Sequence, residues 1–506
     1  MIEVAGQRSA GSLERRLEPC LDETFDWLVV GGGVYGVALT FEAARRGQRV
    51  LLLEADDFGG ATTWHSLRIL HGGLRYLQSL DLGRFRQSVA ERQWFFRHFP
   101  DQTAPLDCLM PLYGTGLRRP AVFRLAFLLD HLLGLDRNQG VDPSHHLAAG
   151  RVLSAAATKA LVPGLAGRGL AGGALWQDGA MPRSETLLIE WLRWAVALGG
   201  RALNRMRVAR LLVEAGRVTG VEAVDALTGE THRFRAAAVA NAAGPWCRAL
   251  AATADRDRPE LFHASLAFNL LLDRAPPAGD LAVTVEPPGA GTLFLHPHGG
   301  RLLVGTWHLP CAGHLSCAGP LTEPAATRVP ATAIEAMLRA VDAAFPGLAL
   351  DAAAVLEVRA GYLPAVASGS AVQGKRPITI DHGAAGGPAG LFSISGVKWT
   401  TARRVAADFF AARGVPAPAT TPARPQPAGW DQPAAEAFLA LPADEARAWL
   451  DRLIRERAAF SVEDVLCRRT GWSAEPQHAA ALRARLRALW PAGTAAPAAP
   501  AGAVFQ

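Results

Sequence analysis

The sequence predicts an α/β fold in which a parallel-sheet unit is interleaved with an antiparallel-sheet domain and followed by a helical cap. Three observations carry this. The apolar run "FDWLVV" (25–30) stops at "GGGVYG", continues with helical spacing through "VALTFEAARRG" (37–47) and resumes as "QRVLLLEA" (48–55), the pattern of strand, turn, helix and second buried strand. The middle of the chain instead alternates strand-like runs with turn signals, at 206–224, 231–240 and 291–308. A Pro/Ala-rich stretch at 415–433 then precedes a segment, 434–490, whose apolar spacing is helical.

The bulk properties agree. At 506 residues the chain exceeds one hydrophobic core. Half of it is apolar and 19% is charged, a folded rather than a disordered composition. A net charge of +6 is small for this length; it suits anionic small molecules or surfaces and does not mark a nucleic-acid binder. Six scattered cysteines without a C-x-x-C pair read as free thiols of a reducing compartment. With neither a secretory leader pattern nor an 18-residue apolar run, the expected place is the cytoplasm, or the inner face of its membrane as a peripheral protein.

Within the first unit, Gly31, Gly33 and Gly36 have the spacing of a dinucleotide-binding turn. The first glycine permits the tight turn, the second lets a pyrophosphate approach the backbone, and the third lets helix and strand pack closely. Glu54 ends the second strand, where a carboxylate accepts ribose hydroxyls. The glycines alone fit an ordinary strand–helix turn. Strand, helix and acid together favour a Rossmann-like nucleotide site.

Three later blocks select FAD over a nicotinamide cofactor. "ADDFGGATTWHSLRILHGGLRYL" follows the acid with a Gly/Thr-rich loop and a basic–aromatic stretch. "AVANAAGPW" (238–246) is an apolar strand ending in small residues, as needed where backbone passes close to a ligand. "GLFSISGVKWTTARRVA" (390–406) reads as strand, Gly396 turn and helix, and a helix N-terminus there can face an anionic reduced flavin.

Together these blocks resemble the FAD-dependent glycerol-3-phosphate dehydrogenases, respiratory flavoenzymes of the D-amino-acid-oxidase superfamily. "HGGLRYL" (71–77) matches that family's signature, while "NAAGPW", "SGVKWTT" and the C-terminal "FSVEDVLCRRTGW" (460–472) are similar to further blocks of it. The resemblance spans about 25–485. It implies an FAD-dependent oxidoreductase region at 25–414, with FAD-binding segments near 25–80, 200–250 and 375–414 and a substrate domain near 81–199 and 251–374. A linker (415–433), a helical domain (434–490) and a disordered tail (491–506) follow.

By the same resemblance, the Gly31–Gly36 turn and Glu54 hold the ADP half of FAD. Thr62, Thr63, Ser66, Gly72, Gly73 and Leu74 support the riboflavin half, with Val208 and Gly244 also at the cofactor; Gly396, Lys398 and Thr400 close its far side. His71, Arg75, Tyr76 and Lys398 face a substrate. The implied reaction oxidises a secondary alcohol of a small anionic polyol, sn-glycerol 3-phosphate to dihydroxyacetone phosphate, with electrons passing to quinone or another acceptor. A homodimer and a membrane surface are compatible partners.

Three departures qualify the substrate. "RAGYLPAV" (359–366) has Leu363 where the family carries a phosphate-gripping arginine, which leaves Arg75, Arg359 and Arg376, the last beside Lys375, as anion anchors. "LFHASLAFNLLL" (261–272) has Leu266 at the family's histidine, and "DGAMPRSE" (178–185) lacks its acidic pair before an arginine. Two rivals therefore stand: an FAD-dependent amine or amino-acid oxidase of the same superfamily, and a non-catalytic flavin-binding partner protein. No metal is expected, because His296, His298, His308, Cys311, His314 and Cys317 lack a standard zinc spacing. The apolar "LRRPAVFRLAFLLDHLLGL" (117–135), with Arg118, Arg119 and Arg124 at one end, reads equally as a bilayer-docking helix or a buried one.

Overall fold

The computed structural model describes residues 11–77, 80–114, 116–286, 291–311, 328–425 and 432–491. His314, Cys317, the tail and the middle of the linker lie outside them. Two sheets organise the described chain. In the first, Thr24–Val30 runs parallel between Thr231–Asn241 and Val50–Leu53. Leu391–Ser395 and Arg201–Leu203 extend the parallel run on either side.

A parallel sheet needs cover on both faces, which is why its strands are continuously apolar. All of "VLLL" in Val50–Leu53 is buried. Helices Val34–Arg45 and Ser184–Ala197 cover one face, with Phe41 packed on Trp191 and Trp194. The hairpin Met206–Glu214/Arg217–Asp225 covers the other and packs Leu211 and Val221 on Leu51 and Leu53.

The second sheet runs from Val355–Pro364 through Ala264–Leu272, Arg301–Pro310, Leu293–His298, Ala282–Val285, Ala104–Leu112 and Gly172–Ala180 to Ile69–Leu70. Its pairings along that path are antiparallel except that of Ala282–Val285 with Ala104–Leu112. Helix Ala331–Ala344 covers one face with Ile334, Met337 and Val341.

Two placements differ from the sequence reading. Ile69–Leu70 pairs with Gly179–Ala180, so the "HGGLRYL" block emerges from the second sheet rather than the first. Helix Ser184–Ala197, expected in the substrate domain, joins the first core and is buried nearly all round, with its Glu190 and Arg193 paired at 2.8 Å. Helix Pro120–Leu133 resolves its ambiguity by splitting: Phe123 and Phe127 face inward while Leu125, Leu128 and Leu132 are 54–58% exposed. No helix among the described residues is long and apolar enough to cross a membrane.

Helices Ala435–Ala440, Ala443–Arg457 and Pro476–Leu489 form the cap around Phe438, Leu450 and Trp472. Charge joins the cap to the first unit. The fully buried Asp57 accepts two hydrogen bonds from Arg469 (2.6 and 2.8 Å), one from Asn204 (3.0 Å) and one from Arg468. Arg205 donates twice to the buried Asp464 at 2.8 Å. Removing one partner of such a network leaves buried charge uncompensated. Asp57→Ala is expected to cost about 3–5 kcal/mol, read as a lowered calorimetric midpoint; an unchanged midpoint would show that the cap docks by other contacts.

Candidate active site

The first glycine turn leaves no space for side chains. A Cβ at Gly36 would stand 1.7 Å from the Gly31 carbonyl oxygen, and one at Gly31, where φ is +100°, would stand 2.6 Å from the Ala242 oxygen. The strand end, the helix N-terminus and the "NAAGPW" turn therefore close on one another as bare backbone. Thr63 accepts a hydrogen bond from the Val34 N–H (3.0 Å). Glu54 accepts from the N–H groups of Gly32 (2.5 Å) and Asp56 (2.8 Å), and burial pushes its carboxyl up to about 7. A side-chain-free cradle, a helix N-terminus behind it and a carboxyl at the strand end fit the ADP half of FAD.

Beyond the turn, a cavity of about 1540 Å³ lies between the two sheets. It exceeds the roughly 300–1,000 Å³ of an ordinary small-ligand site, as a space shared by a cofactor head and a substrate must. Its wall brings together Gly33, Thr62, Thr63, Ser66, Gly73, Leu74, Gly244, Gly396, Lys398 and Thr400 with His71, Arg75 and Tyr76. Gly31, Gly36 and Glu54 sit outside that wall, behind the turn.

Other candidates are placed elsewhere. Val208 points into the first unit's core with Leu51 and Leu53, because its strand covers that sheet. Arg359 is fully buried, paired with Glu357 at 3.0 Å and stacked at 5.4 Å on Trp64, and does not line the cavity. Arg376 is exposed outside the cavity, whereas its neighbour Lys375 lines it. Ala365 bridges Gln373, and the Gly374 N–H donates to the Pro364 carbonyl (2.7 Å), which brings Lys375 to the strand end that carries Leu363.

The double glycine of the "HGGLRYL" block answers to packing. A Cβ at Gly72 would meet the Arg92 guanidinium at 1.9 Å, and one at Gly73, where φ is +88°, would meet Ser88 at 2.8 Å. Both neighbours come from helix Leu82–His98. Between that helix and the block lies Asp178, 4% exposed. It accepts from the Gly72 N–H (2.7 Å) and Arg92 (2.8 Å) and holds His71 Nδ1 at 3.2 Å. Burial raises its pKa, yet His71, Arg92 and the Gly72 N–H outweigh burial and keep it below the usual carboxylate value. With Nδ1 committed to Asp178, Nε2 is the His71 nitrogen left for a substrate proton.

At the cationic end of the cavity, Lys398 donates to the Tyr76 hydroxyl and lies 4.6 Å from its ring centre. Arg75 and Arg84 lie 5.4 and 4.9 Å from the same ring. Burial, then the charge of Arg75, brings the Lys398 ammonium down to about 8. Its backbone is clamped by Tyr35, whose hydroxyl accepts from the N–H groups of Val397 (3.1 Å) and Lys398 (3.2 Å) and donates to the Lys398 carbonyl (2.9 Å). Gly396 is required here because a Cβ would stand 1.9 Å from the Tyr35 ring.

Sequence reasoning missed Asp178 and Tyr35. The signal for Tyr35 was an aromatic inside a turn of small and aliphatic residues. For Asp178 it was an acid on a strand beside a glycine, in a block read only for what it lacked.

Residues 26–406 match the model of a family described as FAD dependent oxidoreductase. A glycerol-3-phosphate dehydrogenase of Mycobacterium leprae is 31% identical over 392 residues, covering 76% of this chain and 62% of that protein. The chain thus spans less than two thirds of that relative's length. A solved glycerol-3-phosphate dehydrogenase from Bacillus halodurans, complexed with FAD, superposes with a TM-score of 0.67 at 22% identity, over 95% of this chain and 94% of that one. The L-alpha-glycerophosphate oxidase of Mycoplasma pneumoniae, with FAD bound, superposes at 0.57 and 16% identity, over 81% and 100%. Both structures share the fold described above.

Proposed function

The chain belongs to the FAD dependent oxidoreductase family, and on that premise we propose that it oxidises the secondary alcohol of a small anionic polyol. The first candidate is sn-glycerol 3-phosphate, converted to dihydroxyacetone phosphate, with electrons passed to quinone or another acceptor. The observation that carries this reading is one cavity in which the His71–Asp178 pair faces Arg75, Lys375 and Lys398.

When bound, FAD supplies the hydride acceptor. The protein supplies the rest. His71 Nε2 takes the alcohol proton, a role commonly worth about 10²–10⁴ in rate. Asp178 fixes the ring and stabilises its protonated form. Lys398 places positive charge where an alkoxide develops. The Arg75 fork and Lys375 hold the anionic tail, Lys375 supplying a cation near Leu363.

Docking follows from the same region. Leu117 and Leu135, 57% and 71% exposed, continue the outward apolar face of helix Pro120–Leu133, and Arg119 and Arg124 are exposed beside it. Leu117 also lines the cavity, so docking of this face on an anionic bilayer sets the cavity mouth at the surface in which quinone dissolves. Co-sedimentation with anionic liposomes at low salt, weakened by salt, is expected; no binding at low salt removes the idea.

Anaerobic bleaching of the flavin band by glycerol 3-phosphate tests the reaction. Bleaching by amino acids with peroxide formation in air, and none by polyol phosphates, would establish the oxidase reading instead. The Lys398 charge gives a pH test. Its folded-state pKa is lowered to about 8, so the ammonium is present below that pH and lost above it. The rate should therefore fall as pH rises through about 8. Lys398→Arg should keep the alkaline side flat, and Lys398→Met should lose on the order of 10²–10³ in kcat/KM; a Met variant with the native profile would sink the assignment.

A further inference from the structure

At and behind the inner wall of the cavity lies a group of basic side chains that the proposed chemistry does not use. Arg359 is 0% exposed, Arg68 2%, His296 2% and His298 7%. They converge by construction of the fold. Asn269 and Arg359 are directly paired across strands Ala264–Leu272 and Val355–Pro364, and the Asn269 amide donates to the His65 carbonyl at 2.7 Å. His296 and His298 follow Phe294 on one face of Leu293–His298, with ring centres 6.4 Å apart, and Phe294 packs 5.1 Å from His71. His65, Arg68 and Asn269 line the cavity, so the group adjoins it.

Part of this group's hydrogen-bonding capacity is unspent. Among the described residues, Arg359 Nη1 and Nη2, Arg68 Nε, His65 Nδ1, His296 Nδ1 and His298 Nε2 are buried without a hydrogen-bond partner. Each such group costs about 1–3 kcal/mol if left so. The acids nearby engage only other edges: Glu357 holds Arg359 Nε (3.0 Å), and Glu185 holds Arg68 Nη1 (2.7 Å). Arg68 is also held at φ +64°, a strained backbone that persists where surrounding structure enforces it. Burial and the charges of both arginines push His65 and His296 down to about 3 and His298 well below its usual value, so all three stay neutral.

We propose that the Arg68–Arg359 group is a binding site for a small oxyanion, a phosphate or carboxylate, in the buried layer directly behind the cavity wall that Arg68 lines. Arg359 offers its two terminal nitrogens as a fork and Arg68 a further N–H, a geometry suited to bidentate recognition. Two sources share this chemistry, the anionic group of a substrate or a free oxyanion. Only the first rests on the dehydrogenase reading above.

Crystals of the flavin-loaded protein soaked in selenate, with calorimetric titration by inorganic phosphate, test the site without turnover. Anomalous density within hydrogen-bond reach of Arg359 and Arg68 is expected, as is phosphate affinity at least about tenfold weaker in Arg359→Met and largely restored in Arg359→Lys. Density only at Arg75 and Lys375, or native affinity in a folded Arg359→Met protein, would overturn the proposal; should that variant not fold, the wild-type selenate map decides alone. Competition between phosphate and substrate that is lost in Arg359→Met assigns the site to the substrate's own anionic group, and Arg359-dependent phosphate binding without competition assigns it to a free oxyanion. Intact selenate density with no bleaching by glycerol 3-phosphate would defeat that substrate and leave the site standing.

Discussion

One carboxylate holds the candidate active site in register. Asp178 stands on the second sheet and binds, at once, the imidazole of His71, the backbone of Gly72 and the guanidinium of Arg92. With Asp178 itself they bring together three parts of the chain, the 71–72 backbone, helix Leu82–His98 and strand Gly172–Ala180, so their mutual geometry depends on a single buried group with every contact charge-assisted. Such bonds are about twice as strong as neutral ones, and burial sharpens them. The glycine pair is part of the same arrangement: any side chain at Gly72 would displace Arg92, and with it the group that balances Asp178.

Tyr35 performs the corresponding task across the cavity. It rises from the first glycine turn and closes three hydrogen bonds on the segment that carries Lys398. The first glycine turn and the segment carrying the Lys398 ammonium are thereby tied through one phenol. The cap is tied in the same manner, through Asp57 and Asp464 rather than through apolar packing alone. Buried ion pairs of this kind contribute little net stability over apolar contacts, yet they tolerate few alternative arrangements.

Much of the architecture was legible because its physical demands are local. Continuous apolar strands, a glycine turn and a following helix can make little else than a βαβ unit, and the hairpins at 217–241 and 293–310 carried their own turn signals. Val208 shows the limit, since its position on a strand was readable but the side it faces was not. Arg359 shows it more sharply: alternation puts it on the same strand face as Leu363, yet the Trp64 ring and Glu357 hold it fully buried beside the cavity rather than in its lining. Lys375 reaches the cavity instead, through a bridge between residues 365 and 373 that leaves no trace in composition or period.

By itself, then, the sequence determined the interleaved α/β fold, the glycine turn between strand and helix, and the family whose blocks it carries, because each rests on spacing within a few turns of chain. Only the tertiary structure decided which polar groups come together: Asp178 with His71, the Tyr35 hydroxyl with the Lys398 backbone, and Arg68 within electrostatic reach of Arg359. Those encounters join residues about 100 to 360 positions apart. Side-chain charge acts over a few ångströms, and which groups come that close is set by how two sheets pack, not by the order of residues along either one.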